Sequence, residues 1–253
     1  GVWIAVRGFL SKYTTELPVS EDDEEIEIRH CVEKVMKWLK MGKFVRIFLK
    51  ENIVLFDGGM GTLLQEKGLP VGELPERWNL THADVITDIH REYFDAGSNV
   101  VSANTFGANG LKFSDDELDE IVSAAFRNAK KARGLSVSNK EKFVALDIGP
   151  LGNMLSPFGD MPLCDAISVF KKTVSIGVKA GVDLVFIETM NDSYETKAAL
   201  LAVKETCDLP VFVSNAYGED GKLMTGASPE AMVCMLEGMG ADAIGANCSL
   251  GPQ

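Results

Sequence analysis

A chain of 253 residues has room for one large domain or two small ones and can bury a substantial core. Its formal charge of −12 at pH 7 excludes the basic surface that nucleic acids and anionic membranes select for, and no apolar run reaches the length of a membrane span. The start of the chain lacks the charged head, long apolar stretch and small-residue cleavage site of a secretory signal. The five cysteines, Cys31, Cys164, Cys207, Cys234 and Cys248, are odd in number and form no CxxC, which reads as reduced thiols of a cytoplasmic protein rather than a disulfide framework.

In chain order, residues 1–40 stand apart from the rest of the chain. They hold an acidic run, Glu21 to Glu25, and then a short amphipathic helix predicted from Ile28, Val32, Val35, Met36 and Leu39 on one face. Met41 stands just before the regular pattern and is the expected start of the enzyme proper. Residues 1–40 then form an upstream extension, or a helix packed on the floor of the domain at 41–253.

From residue 52 one theme recurs: a short apolar, β-branched run, a polar or glycine-rich turn, then a helical pattern. The predicted strands are Ile53–Phe56, Asn99–Ala103, Phe143–Ile148, Asp183–Ile187, Val211–Ser214 and Ala241–Ala246. Continuous apolar runs suit strands covered on both faces, as in parallel sheets. Between them, helix starts are legible at Thr81 with Asp84, at the Ser114–Glu117 capping box, and at Ser228-Pro229-Glu230. Gly97, Gly181 and Gly240 stand before the second, fourth and sixth strands.

Six such units in series mean a doubly wound sheet or a barrel. The polar residues favour the barrel. Every strand ends in a polar or glycine signature: Asp57-Gly58-Gly59, Asn104-Thr105, Asp147-Ile148-Gly149-Pro150, Glu188-Thr189, Asn215, and Asn247-Cys248-Ser249. Barrels spread their chemistry over all strand ends, whereas a doubly wound sheet gathers it at one switch point. The expected fold is a (β/α)₈ TIM barrel truncated after about six β/α units, with an N-terminal helical extension.

Asp57 opens a turn in which glycines let backbone amides approach a ligand, although a ligand-free βα turn would look the same. Glu188 ends the run Leu184-Val185-Phe186-Ile187, so its carboxylate is desolvated unless it meets a cation or a donor, and it could receive an ammonium group. Asp147 is a weaker case, because it could simply cap the Gly149-Pro150 turn. Cys248 sits at a strand end, while the other cysteines lie in helical or extension segments, where the residue is usually a small hydrophobe. From the residues alone, Cys248 is either a nucleophile or a lone metal ligand.

Phe56-Asp57-Gly58-Gly59-Met60-Gly61-Thr62, Ala103-Asn104-Thr105-Phe106-Gly107-Ala108, Asp147-Ile148-Gly149-Pro150, Phe186-Ile187-Glu188-Thr189 and Asn247-Cys248-Ser249-Leu250-Gly251-Pro252, in this order, resemble the homocysteine S-methyltransferase family. The likeness is strongest to the N-terminal homocysteine-binding module of the cobalamin-dependent methionine synthases. It implies a zinc-dependent barrel in which Cys248 is one of a trio of cysteine ligands, the other two belonging to a later Gly-Gly-Cys-Cys-Gly segment that is missing from this chain. It also implies that Glu188 and Asp57 meet the amino group of homocysteine, and that backbone around Gly58, Gly59 and Ser249 meets its carboxylate. The strand-end residues Thr105 and Asn215 complete the expected substrate-binding set. The implied reaction is methyl transfer from methylcobalamin to a zinc-bound homocysteine thiolate, with cobalamin and methyltetrahydrofolate carried on other modules. A chain with part of the metal site is expected to be inactive alone.

Two other readings remain open from the residues. Asp57, Asp147 and Glu188 could hold a divalent metal such as magnesium for lyase or isomerase chemistry. Alternatively, the chain is a non-catalytic truncated fragment whose first and sixth strands present unpaired edges.

Overall fold

The computed structural model describes residues 3–5 and 53–249. The predicted amphipathic helix at 28–39 lies outside the described residues. Among the described residues, contacts place Trp3–Ala5 in one unit with residues 54–249.

Five strands run parallel: β2 (Val100–Ser102), β3 (Phe143–Ile148), β4 (Leu184–Met190), β5 (Val211–Asn215) and β6 (Ala243–Ala246). Each pairs with its neighbour in sequence, and the order never reverses. A doubly wound sheet requires a reversal, so this one is wound in a single direction. It also curls. Phe56, which bridges to Val100 at the β2 edge, places its ring 5.3 Å from that of Phe186 on β4 and 5.9 Å from that of Phe212 on β5. In a flat sheet, rings separated by so many strands could not touch, because neighbouring strands lie roughly 4.8 Å apart. The sheet therefore bends around an interior as a barrel wall does.

The run Ile53–Phe56 forms a single bridge rather than a ladder. Its backbone is held to the β2 edge by Asn99 and Val100 amides donating to the Leu55 carbonyl at 2.7 and 3.1 Å, and by Asp57 N–H donating to Val100 at 3.0 Å. The sixth strand is not an open edge. Short strand β1 (Trp3–Ala5) pairs antiparallel with it, Ile4 opposite Gly245. The expectation of an unpaired β6 edge is corrected on that point: a segment from the head of the chain takes up the free backbone groups.

Helices α1 (Met60–Glu66), α2 (Trp78–Thr81), α3 (Ala83–Ala96), α4 (Asp115–Leu135), α5 (Leu163–Ala180), α6 (Ser193–Thr206) and α7 (Pro229–Gly238) fill the crossovers. A core of Phe94, Phe126, Phe170, Leu146 and Val185 lies between sheet and helices. Each such side chain contributes about 1.5–3 kcal/mol on burial. β3 is buried along its whole length, as its unbroken apolar run requires. On α4 the small residues Ala124, Ala125, Ala129 and Ala132 are buried, so the helix can approach its neighbours closely.

Ser114 caps α4 by accepting from Glu117 N–H at 3.4 Å, and Ser228 caps α7 by accepting from Ala231 N–H at 3.4 Å. Thr81 differs from expectation. It ends α2, and its hydroxyl reaches back to the Arg77 carbonyl at 3.3 Å, so α3 begins after His82 with no side-chain cap. Gly97 and Gly181 end α3 and α5 with positive φ, the conformation in which glycine avoids a Cβ penalty.

Candidate functional site

The strand ends bring three carboxyl groups into one electrostatic cluster. Asp57 follows the Phe56 bridge and is nearly buried, and its Oδ2 accepts from Ser102 N–H at 2.9 Å. Burial pushes its carboxyl up to about 8; the Ser102 amide works against the rise, and the charge of Glu188 adds to it. Asp147, on β3, is held well above the carboxylate range by burial, then by the charges of Glu188 and Asp57. Glu188, on the adjacent strand, is raised by burial as well, opposed by hydrogen bonds from Asp147 and Asn247. None of the three is ion-paired among the described residues.

Asn247 joins this cluster to Cys248. Its Nδ2 lies 2.8 Å from Glu188 Oε1, 2.8 Å from Thr189 Oγ1 and 3.6 Å from Cys248 Sγ, while its Oδ1 accepts from Ser214 Oγ at 2.9 Å. The Thr189 hydroxyl also approaches Cys248 Sγ at 3.7 Å. Thr189 and Cys248 are the non-glycine residues with positive φ among the described residues, at 58° and 48°. A β-branched residue there is strained, and such strain persists only where the surroundings enforce it. Cys248 is exposed, so its thiol lies at the surface rather than in a core.

The remaining expected residues fall into two groups. Gly58, Gly59 and Ser249 are exposed at the same strand ends. A Cβ on Gly58 would stand 2.9 Å from the Tyr93 hydroxyl, so the glycine makes room for a tyrosine of α3. Ser249 Oγ accepts from Tyr217 N–H at 2.8 Å and donates to the Asn247 carbonyl at 3.1 Å, fixing the turn around Cys248. Thr105 and Asn215 are fully enclosed. The Thr105 hydroxyl donates to the Asp147 carbonyl at 2.8 Å and accepts from Asp147 N–H at 3.2 Å, and the Asn215 amide donates to Met190 O at 3.1 Å. The Thr105 hydroxyl thus braces the Asp147 backbone, and the Asn215 amide braces the end of β4 at Met190.

Reasoning from sequence passes over Asn247, Tyr93 and Glu195. Asn247 lies within the Asn-Cys-Ser motif, so a signal exists; its partners lie 58 and 59 residues away and cannot be read from it. Tyr93 sits in an amphipathic helix like any core aromatic. Glu195 is buried on α6, accepts from Leu151 N–H at 2.7 Å and so tethers the loop after β3. Burial lifts its carboxyl to about 7.

As for metals, a catalytic zinc site takes about three protein ligands. Among the described residues no group of three His, Cys, Asp or Glu side chains could hold a metal ion. Cys248 is the described cysteine at a strand's carboxyl end, and by itself it does not make a site. No helix among the described residues is long and apolar enough to cross a membrane.

Comparison with known proteins supplies the context. Residues 54–253 match the family model described as homocysteine S-methyltransferase. Methionine synthase from Mycobacterium leprae is 30% identical over 220 residues, and that from Mycobacterium tuberculosis is 29% identical over the same length. In each case 81% of this chain aligns with 18% of the relative, so the chain spans about a fifth of these proteins. Among solved structures, the metallated form of the homocysteine methyltransferase MmuM from Escherichia coli superposes with a TM-score of 0.71 at 19% identity, covering 80% of this chain and 77% of that one. That likeness is one of fold.

Proposed function

The chain belongs to the homocysteine S-methyltransferase family, and from that premise we propose that it is the homocysteine-binding module of a methionine-forming methyltransferase. The observation that carries this reading is the cluster of buried Asp57 and Asp147 with half-buried Glu188, without an ion-pair partner among the described residues and tied through Asn247 to an exposed Cys248. Buried carboxyls without a counter-charge suit the ammonium group of an amino acid, and a thiol at the rim suits a metal that would receive its sulfur.

In this proposal Asp57 and Glu188 receive the amino group, and backbone at Gly58, Gly59 and Ser249 lies toward the carboxylate. Thr105 and Asn215 support the cluster from behind. Cys248 is one zinc ligand, with the rest of the set coming from outside the described residues. Bound zinc would hold the homocysteine sulfur as a thiolate near neutral pH, where a free thiol is mostly protonated. The methyl donor in this reading is methylcobalamin on a partner module, renewed from methyltetrahydrofolate on another, in the cytoplasm. In this reading residues 41–253 carry the module, and residues 1–40 are an extension whose Trp3–Ala5 segment pairs with β6.

Titration calorimetry with L-homocysteine tests the reading. Glu188→Gln removes the charge but keeps the shape, and should weaken binding at least tenfold, about 1.4 kcal/mol. Unchanged affinity in that variant would remove the carboxyl cluster from the substrate site. A divalent-metal lyase or isomerase built on Asp57, Asp147 and Glu188 has less support, because these side chains do not group as metal ligands. It predicts magnesium-dependent activity indifferent to Cys248→Ala.

A further inference from the structure

An ionised carboxylate only accepts hydrogen bonds, so two carboxyl groups can hydrogen-bond to one another only by holding a proton between them. Asp147 and Glu188 are in that contact, on adjacent parallel strands paired in register up to Ile148 and Ile187. The surroundings leave Asp147 little freedom to turn away. Its backbone is gripped on both sides by the Thr105 hydroxyl, and its Oδ1 is buried with no partner among the described residues. Glu188 is held from the other side by the Asn247 amide at 2.8 Å.

The groups facing the pair come from several elements. Asp57 follows the Phe56 bridge, and Glu76 lies on the 3₁₀ turn Pro75–Arg77; both are acidic and raise Asp147 further. Asn247, beyond β6, is neutral. Tyr93 of α3 faces Asp57 rather than the pair. No described cation is placed to let both carboxyls ionise.

We propose that Asp147 and Glu188 form a one-proton dyad in the free protein, and that entry of an amino acid's ammonium group expels this proton to solvent. The proposal rests on the reading that the cluster receives an ammonium group. The balance is simple. Protein carrying the shared proton plus R–NH₃⁺ gives the complex, with both carboxylates ionised around R–NH₃⁺, plus one H⁺ in solution. If the amine instead sheds its proton on entry and takes up the dyad's, the sum is the same. The physical cause is that an opposite charge nearby favours ionisation of both acids, which burial and mutual repulsion otherwise forbid. Proton and ligand thus compete for one place, so acid weakens binding.

The test uses L-norleucine as probe, an amino acid with no thiol, so that no proton can come from sulfur. Calorimetric titration in buffers of different ionisation enthalpy counts the protons released. Asp147→Asn retains an amide donor for Glu188 but has no proton to lose. The wild-type chain should release about one proton more than this variant near pH 7, any contribution from Asp57 being common to both. Equal release by two proteins that both bind norleucine overturns the dyad while leaving the substrate reading intact. Failure of the wild type to bind either norleucine or homocysteine overturns the substrate reading and the dyad with it. The wild type alone supplies a second measure should the variant not fold: affinity should fall about tenfold per pH unit of acidification through the dyad's range, and a flat profile from pH 5 to 7 would reject the competition.

Discussion

His90 shows how a single side chain sets a pH limit. It is fully buried in α3, neither ring nitrogen has a partner among the described residues, and burial pushes it down to about 4 from the usual 6.5. Between those values the unfolded chain binds a proton that the folded chain refuses. The stability associated with His90 is therefore present above about pH 6.5 and is lost as pH falls toward 4, by as much as about 3 kcal/mol. His90→Leu should remove this dependence. Urea midpoints at pH 7 and pH 5 should shift relative to wild type in the variant's favour at the lower pH, and parallel profiles would show that the ring is not the cause. Asp57 acts with the opposite sign, its contribution fading as pH rises from about 4 to about 8. Site and scaffold thus respond oppositely to acid, so binding and stability have to be measured separately across pH.

At the level of elements, helix starts are legible wherever the capping residue directly precedes its own helix. Ser114 and Ser228 meet that condition. Thr81 does not, because Trp78–Thr81 forms a short turn of helix before His82 and absorbs the threonine. The difference is measurable. Ser114→Ala should cost about 1 kcal/mol in urea unfolding, whereas Thr81→Ala should stay within about 0.5 kcal/mol. Equal losses would restore Thr81 as a cap. The predicted strands β3 to β6 match the observed ones to within a few residues, since apolar runs buried on both faces leave a strong pattern. Ile53–Phe56 carries the same pattern and forms only a bridge. Ile53 and Leu55 are largely exposed, at 71% and 46%, because that segment has a partner on one side among the described residues.

For the molecule as a whole, the sheet has edges that decide its solution behaviour. β1 covers the β6 edge through pairing at Trp3, Ile4 and Ala5. Deleting residues 1–5 should expose the backbone donors and acceptors of Ala243–Ala246 and raise self-association, read by light scattering against the full chain. A shortened chain that scatters no more than the parent would mean that this pairing does not protect the edge. At the opposite side the Phe56 ring reaches Phe186 and Phe212, so the interior is closed by side chains where backbone pairing is sparse.

What the sequence by itself determined is the alternation of strand and helix, the placing of polar residues at strand ends, and the family. Those properties are local or depend on order along the chain, so they survive without coordinates. What only the tertiary structure decided is which groups meet. Asp147 meets Glu188, the Thr105 hydroxyl meets the Asp147 backbone, and Asn247 reaches across 59 residues to Glu188. The reason is geometric. Strand-end side chains converge only through the curl and register of the sheet, and charges confined together without water change their protonation in ways no single residue encodes.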